Sequence, residues 1–284
     1  MKKHALLPLV AVLGGAVAFV LRLLQNRTGF EAATGLPVPG NFAGIALVAC
    51  LAALAVVLFL LVRKLPNETE PGPAFPLDFA AGNTTLLVLP VMGTLLIALA
   101  GLADLYEGLT MGNLLTQLKA AADPYAVVTE DCFSGFSTQA QLLLGILSVL
   151  SAAALFLAIV ACRLKEGEES KPFSGVLLLV PPVALVVRLV LTYRLDSINP
   201  ALEAYYVELL ALVFLTLAFY RLSSFAFKAG RMSRFALYTC LAVILSLAAL
   251  ADGGPYFSSL LLYAGSALTT LGFLLLRFSR FDNE

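Results

Sequence analysis

An all-α, polytopic transmembrane helical bundle of eight spans is the fold this sequence predicts, and three observations carry it. Eight apolar stretches of about twenty residues fill most of the 284-residue chain, the length a helix needs to cross about 30 Å of hydrocarbon. Lysine and arginine fall almost entirely on alternate sides of those stretches. Only 13% of the residues are charged and 60% are hydrophobic, too little charge to cover a water-facing surface.

Taken in order, the first span reads as 5–25, after Lys2 and Lys3. Two readings of this start are open: a retained first span, or a signal peptide ending at Ala16-Val17-Ala18. The apolar run continues through Phe19-Val20-Leu21 and Leu23-Leu24, longer than a signal peptide's apolar region, which favours retention. Cleavage would leave seven spans and an outside N-terminus. Gly14-Gly15 within this span suits close helix approach. The second span, 42–62, ends at Arg63-Lys64 and precedes the breakers and polar residues of Leu65-Pro66-Asn67-Glu68-Thr69-Glu70-Pro71-Gly72-Pro73. The third, 84–104, contains Pro90, and the fifth, 173–193, contains Pro181-Pro182. Interior proline removes a helix hydrogen bond, so kinks are expected at both places. The fourth, 140–162, is closed by Arg163 and by Glu166-Gly167-Glu168-Glu169-Ser170-Lys171. The sixth and seventh read as 202–221 and 234–252, and the eighth, 256–277, follows a tight Gly253-Gly254-Pro255 turn.

Charge then orients the bundle. Thirteen of the 18 cationic residues, from Lys2 and Lys3 through Arg63, Arg163 and Arg221 to Arg277 and Arg280, share one side. Arg22, Arg27, Lys119 and Arg194 lie at or beyond the other, and Arg188 lies within a span. The positive-inside rule makes the rich side cytoplasmic, so both termini are expected in the cytoplasm of a plasma membrane. An even number of spans requires termini on one side, which agrees.

The two halves resemble each other. Val17-Ala18-Phe19-Val20-Leu21-Arg22-Leu23 matches Val183-Ala184-Leu185-Val186-Val187-Arg188-Leu189, and Leu99-Ala100-Gly101-Leu102-Ala103-Asp104 matches Leu247-Ala248-Ala249-Leu250-Ala251-Asp252. Leucine and alanine matches mean little in this composition; the charged anchors Arg22 with Arg188 and Asp104 with Asp252 carry the resemblance. The expected organisation is a 4+4 parallel internal repeat, 1–165 and 166–284, forming one membrane domain. The alternative is coincidence in a Leu/Ala-rich chain. The 105–138 connection has no counterpart. Met111, Leu114, Leu115, Leu118, Ala121 and Ala122 recur there at helical spacing and Asp123-Pro124 ends the run, so a short amphipathic helix on the outer face is expected, either a connector or a lid.

Any activity is sought at the membrane-embedded charges Arg22, Asp104, Arg188, Glu208 and Asp252. Each costs free energy in hydrocarbon unless it pairs, faces a cavity or reaches the head groups. Arg188 and Glu208 fall at matching depth on consecutive antiparallel spans, which predicts a contact between them. Within each half, Arg22 is expected near Asp104, and Arg188 has Asp252 as its alternative partner. Glu107 lies near the same end. Tyr193, Tyr205, Tyr206, Tyr256 and Phe257 cluster at this boundary as an aromatic belt would.

Several functions lack their raw material. Four cysteines (Cys50, Cys132, Cys162, Cys240) without CxxC spacing and a single histidine, His4, offer no metal or haem set. Zero net charge suggests no nucleic acid partner, and no Walker, HExxH, GxSxG or EF-hand motif is present. No cofactor and no catalytic residue is assigned; enzymatic lipid chemistry at an arginine–carboxylate cluster is the lesser expectation. The bilayer is the implied partner, with a small-molecule or lipid ligand, and oligomeric state is not indicated. The leading expectation is a transporter or permease component for a small molecule, ion or lipid, with a charge-lined cavity open outward. The alternative is a non-transporting scaffold or sensor subunit that binds another protein.

Overall fold

The structure, a computed structural model, describes residues 6–31, 36–65, 75–80, 84–121, 137–163, 173–196, 202–253 and 257–281. It is an all-α bundle with eight helices long and apolar enough to cross a membrane. In chain order these are α1 (Leu6–Thr28), α2 (Phe42–Val62), α4 (Val88–Ala121), α5 (Thr138–Ala161), α6 (Val180–Asp196), α7 (Leu202–Ala226), α8 (Met232–Ala249) and α9 (Phe257–Phe281). A short α3 (Phe75–Asp78) lies between the second and third spans.

The helices are not arranged as two separate sets of four. α4, α5, α6, α7, α8 and α9 follow one another around a closed circuit, each packed on the next, with α9 returning to both α4 and α8. α1 packs on the outside of α8, and α2 on α1 and α8. Burial follows this order: 72% of the α9 window is enclosed but only 17% of that of α2, which faces outward along most of its length. An outer helix of this kind stays apolar all round because lipid is its solvent.

Small residues set the closest contacts, as packing without a hydrophobic driving force requires. A Cβ on Gly15 would lie 2.5 Å from Leu247 Cδ1 on α8, and one on Gly14 would lie 2.8 Å from Leu54 Cδ2 on α2. The adjacent glycines therefore serve two different neighbours. On α4, Gly93 faces Gly265 and Thr269 of α9, while Gly101 faces Gly145 and Val149 of α5.

Three local expectations change. The prolines lie where the helix type changes within their spans: a 3₁₀ turn over Thr84–Leu87 leads into α4 and another over Gly175–Leu179 leads into α6. Pro90, Pro181 and Pro182 thus occupy first turns of α-helix, where backbone N–H groups have no intrahelical acceptor and proline's missing donor costs little. Second, residues 105–121 are helical but continue α4 without a break. Only Gly108 and Gly112 interrupt the helix formers there, and both remain in contact with α5, at Leu142 and Thr138. The 34-residue α4 is about 51 Å long, more than the hydrocarbon thickness. The Asp123-Pro124 terminator and the rest of the connection lie outside the described residues. Third, Asp104 and Glu107 are consequently mid-helix rather than at a helix end.

α3 was not anticipated as an element. Phe75, Pro76 and Asp78 are buried, and the following Phe79 meets Phe225, Phe235 and Phe273 edge-on at 5.2, 6.1 and 5.7 Å between ring centroids. This aromatic cluster closes the arginine-rich end between α7, α8 and α9. Arg277 holds it there by donating to the Asp78 carbonyl at 2.8 Å and carboxylate at 3.1 Å.

Gly93→Ala tests the glycine contacts. Its Cβ would lie 2.5 Å from Thr269 N and 2.6 Å from Gly265 O, backbone atoms that no rotamer change can move. We expect a loss of about 1–3 kcal/mol in detergent unfolding, the cost of overpacking. Gly112→Ala, whose Cβ would meet only the Thr138 methyl at 3.3 Å, should stay near wild type. Equal stability of the two variants would show that α4 and α9 are not so closely apposed.

Candidate functional site

The five embedded charges assemble at the arginine-poor end of the bundle, but their pairing differs from expectation. Arg22 on α1, 1% exposed, pairs through Nε with Asp252 at the end of the α8 span. Arg188 on α6, 2% exposed, donates from Nη1 to Asp104 Oδ2 on α4 at 2.9 Å. The pairing open to Arg22 within its half, Asp104, and the alternative partner of Arg188, Asp252, are therefore exchanged. Each arginine takes its aspartate from the other half.

Polar neighbours complete each cluster. Arg22 also donates from Nη1 to Gln25 Oε1 at 2.8 Å and to the Glu203 carbonyl at 2.9 Å, and its guanidinium lies 5.4 Å from the Tyr206 ring centre. Asn26 donates to Asp252 Oδ1 and to the Ala251 carbonyl, at 3.0 and 3.1 Å. Gln25 and Asn26 lie one turn beyond Arg22 on the same helix face, a spacing that could have marked α1 as polar there. Such bonds are needed because an ion pair taken out of water recovers its desolvation cost only when its remaining donors and acceptors are also engaged.

The second cluster lies inside the helix circuit. Arg188 Nη2 donates to Ser259 Oγ on α9 at 3.1 Å, and one turn along α9 the Tyr263 hydroxyl donates to Glu208 Oε1 at 2.7 Å. Arg188 and Glu208, expected to meet, each bond α9 one turn apart, Arg188 at Ser259 and Glu208 at Tyr263. Arg188 also turns to α4, where Asp104 is 1% exposed. Next to Asp104, Glu107 accepts from Gln141 Nε2 on α5 at 2.6 Å. Sequence reasoning missed Ser259 and Tyr263, although Ser259, Tyr263, Ser266 and Thr270 share one face of α9 at helical spacing.

Beneath Arg188 a cavity of about 20 Å³ lies between α4, α5, α6, α7 and α9. Ser148, Ser151 and Ser266 give it hydroxyls, and Ile97, Leu155 and Phe219 close its walls. That volume suits about one water molecule. The interior of the circuit is therefore polar along one stripe, bounded by an ion pair at one end, and has the aromatic α3 cluster at its other. Among the described residues no group of three His, Cys, Asp or Glu could hold a metal ion.

The two partners of the inner pair should depend on each other. Asp104→Leu and Arg188→Met are each expected to cost about 3–5 kcal/mol, because each leaves a buried charge alone. The double variant should recover most of that loss in the same unfolding equilibrium. Costs that simply add would mean the two groups do not interact. No protein-family model, curated protein or solved structure matches the chain.

Proposed function

We propose that this multi-pass membrane protein is a permease component that passes a small solute or ion through the six-helix circuit. The supporting observation is the buried Arg188–Asp104 pair set over a hydroxyl-lined cavity. Charges are expensive inside a bundle, and a purely structural contact is made more cheaply by apolar residues of the same volume. The stripe of Ser148, Ser151, Ser259 and Ser266 supplies the hydrogen bonds a dehydrated solute needs. In this reading the structure is an occluded state, with the ion pair as the gate at one end and the Phe75–Phe79 cluster as the seal at the other.

The orientation we assign places both termini in the cytoplasm of a plasma membrane, from the distribution of lysine and arginine. The ion-pair gate then faces outward. We also assign a 4+4 duplication, supported by the reciprocal exchange of Arg22–Asp252 and Arg188–Asp104 between halves. A second reading has its own support: the cavity holds about one water and both arginines are paired, as in a scaffold or sensor subunit that transports nothing.

Cysteine accessibility separates the two. Ser148→Cys and Ser266→Cys, in a chain with its native cysteines replaced, are treated with a membrane-impermeant thiol reagent in intact cells and in inverted membrane vesicles. A pathway predicts labelling, accelerated at least about tenfold by Asp104→Asn, the effect of 1.4 kcal/mol on a closed-to-open equilibrium. If neither cysteine reacts from either face, with or without Asp104→Asn, the permease reading fails and the scaffold reading stands.

A further inference from the structure

We propose that a groove between α2 and α7, separate from the cavity beneath Arg188, binds a phosphatidylethanolamine-type aminolipid, with the ammonium head at Glu203 and one acyl chain along α2. The groove has a volume of about 430 Å³, within the range of ligand-sized pockets. It exists because α2 packs on α1 and α8 while α7 packs on α8, leaving a gap between the two outer surfaces.

The mouth is built rather than incidental. Asn41 Nδ2 donates to the Thr28 carbonyl at 2.6 Å, and its Oδ1 accepts from Ala43 N and Gly44 N at 2.8 and 3.2 Å. One residue thus caps α2 and ties it to the end of α1. Val38 N donating to Gly29 O at 2.8 Å holds the connection between them.

Depth argues for a lipid chain. The α2 wall runs from Asn41 through Ile45, Val48 and Ala49 to Ala52. Those positions span about 16 Å of helix, which matches the roughly 15 Å of hydrocarbon in one leaflet. The wall is apolar and outward-facing, with Ile45 63% and Val48 55% exposed, and Ala49 and Ala52 leave room beside it.

Charge selects the head group. A Cβ on Gly44 would lie 3.8 Å from Glu203 Oε2, so this carboxylate faces α2 across the mouth. Among the described residues no hydrogen bond or ion pair engages that carboxylate. One turn along α7, Tyr206 lines the same groove, and its hydroxyl oxygen is buried without a hydrogen-bond partner. Arg22 lies behind both, but its guanidinium is directed to Asp252, Gln25 and the Glu203 carbonyl. The mouth therefore presents the Glu203 carboxylate beside the neutral Gln25 amide, backed by the Tyr206 hydroxyl, and commits its nearest arginine elsewhere, which suits a cationic head better than an anionic one. A primary ammonium has three N–H donors for these oxygens and a quaternary ammonium has none.

Native mass spectrometry of the purified full-length chain, titrated with dioleoyl phosphatidylethanolamine, phosphatidylcholine and phosphatidylglycerol, tests this. The ethanolamine lipid should bind about fivefold tighter than either of the others, the upper range for a solvated charge pair. Glu203→Gln should bring the three lipids to equal affinity. Ala49→Trp should abolish the tight site, while Val57→Trp, at an exposed α2 position away from the groove, should not. Equal or reversed lipid preference in the wild-type chain, or a preference that survives Glu203→Gln, overturns the head-group assignment. Unchanged binding in Ala49→Trp overturns the site. A dimer that Ala49→Trp converts to monomer would make a second copy the occupant, and full competition by chain-free glycerophosphoethanolamine would make it a solute site.

Discussion

An arginine at hydrocarbon depth needs a counter-charge at the same depth, and two such arginines govern how these helices are placed. Each unpaired charge costs roughly 2.5–3.5 kcal/mol on insertion scales, so the aspartates act as fixed points for neighbouring helices. Arg22 with Asp252 ties α1 to the end of the α8 span. Arg188 with Asp104 ties α6 to α4 across the interior of the circuit. Apolar packing in lipid is nearly non-directional and tolerates many rotations of a helix about its axis. The ion pairs do not, because a guanidinium fork has to meet a carboxylate within hydrogen-bond distance.

Much of this was legible in the sequence, and what was not legible has a common cause. Span number, approximate limits and the identity of the embedded charges follow from position along the chain, which hydropathy and breakers report directly. Arg188 and Glu208 were assigned one depth from their distances to the span ends. Depth alone leaves azimuth undetermined, however, and azimuth decides that Arg188 turns to Asp104 while Glu208 turns to Tyr263. The extension of α4 has a similar origin: periodicity over 111–122 identifies helix but not whether that helix is new. Only a strong breaker starts a new one, and Gly108 and Gly112 are weak. α3 was hidden because Asp78 and its phenylalanines lie beside a polar, proline-rich segment that reads as loop. Its helicity comes from tertiary burial against α7 and α9, which local composition does not report.

Glycine placement links this electrostatic frame to close packing. Gly93, Gly101, Gly145 and Gly265 let α4 approach both α5 and α9, which brings Asp104 and Ser259 to the same guanidinium. Were α4 held farther from α9, Arg188 could reach one partner but not both. The small residues and the charges are therefore one device: the first sets the separation that the second requires.

The two ion pairs share a sequence context and an end of the bundle, yet they stand in different surroundings. The helices of the second half fill the centre, with α8 and α9 between the α1–α2 pair and the α4–α5 pair. Arg22–Asp252 consequently lies at the periphery, where α1 meets α8 and a groove opens toward lipid. Arg188–Asp104 lies inside, over a cavity of about 20 Å³. Asp252 keeps one oxygen, Oδ2, without a hydrogen-bond partner among the described residues, whereas the inner arginine engages both an acid and a serine. If the halves arose by duplication, the copied anchor did not copy its neighbourhood: the long α4 and the outward α2 have no counterparts in the second half. That asymmetry sets the outer pair beside a lipid-facing groove and the inner pair over an enclosed cavity, two surroundings that identical environments would not permit.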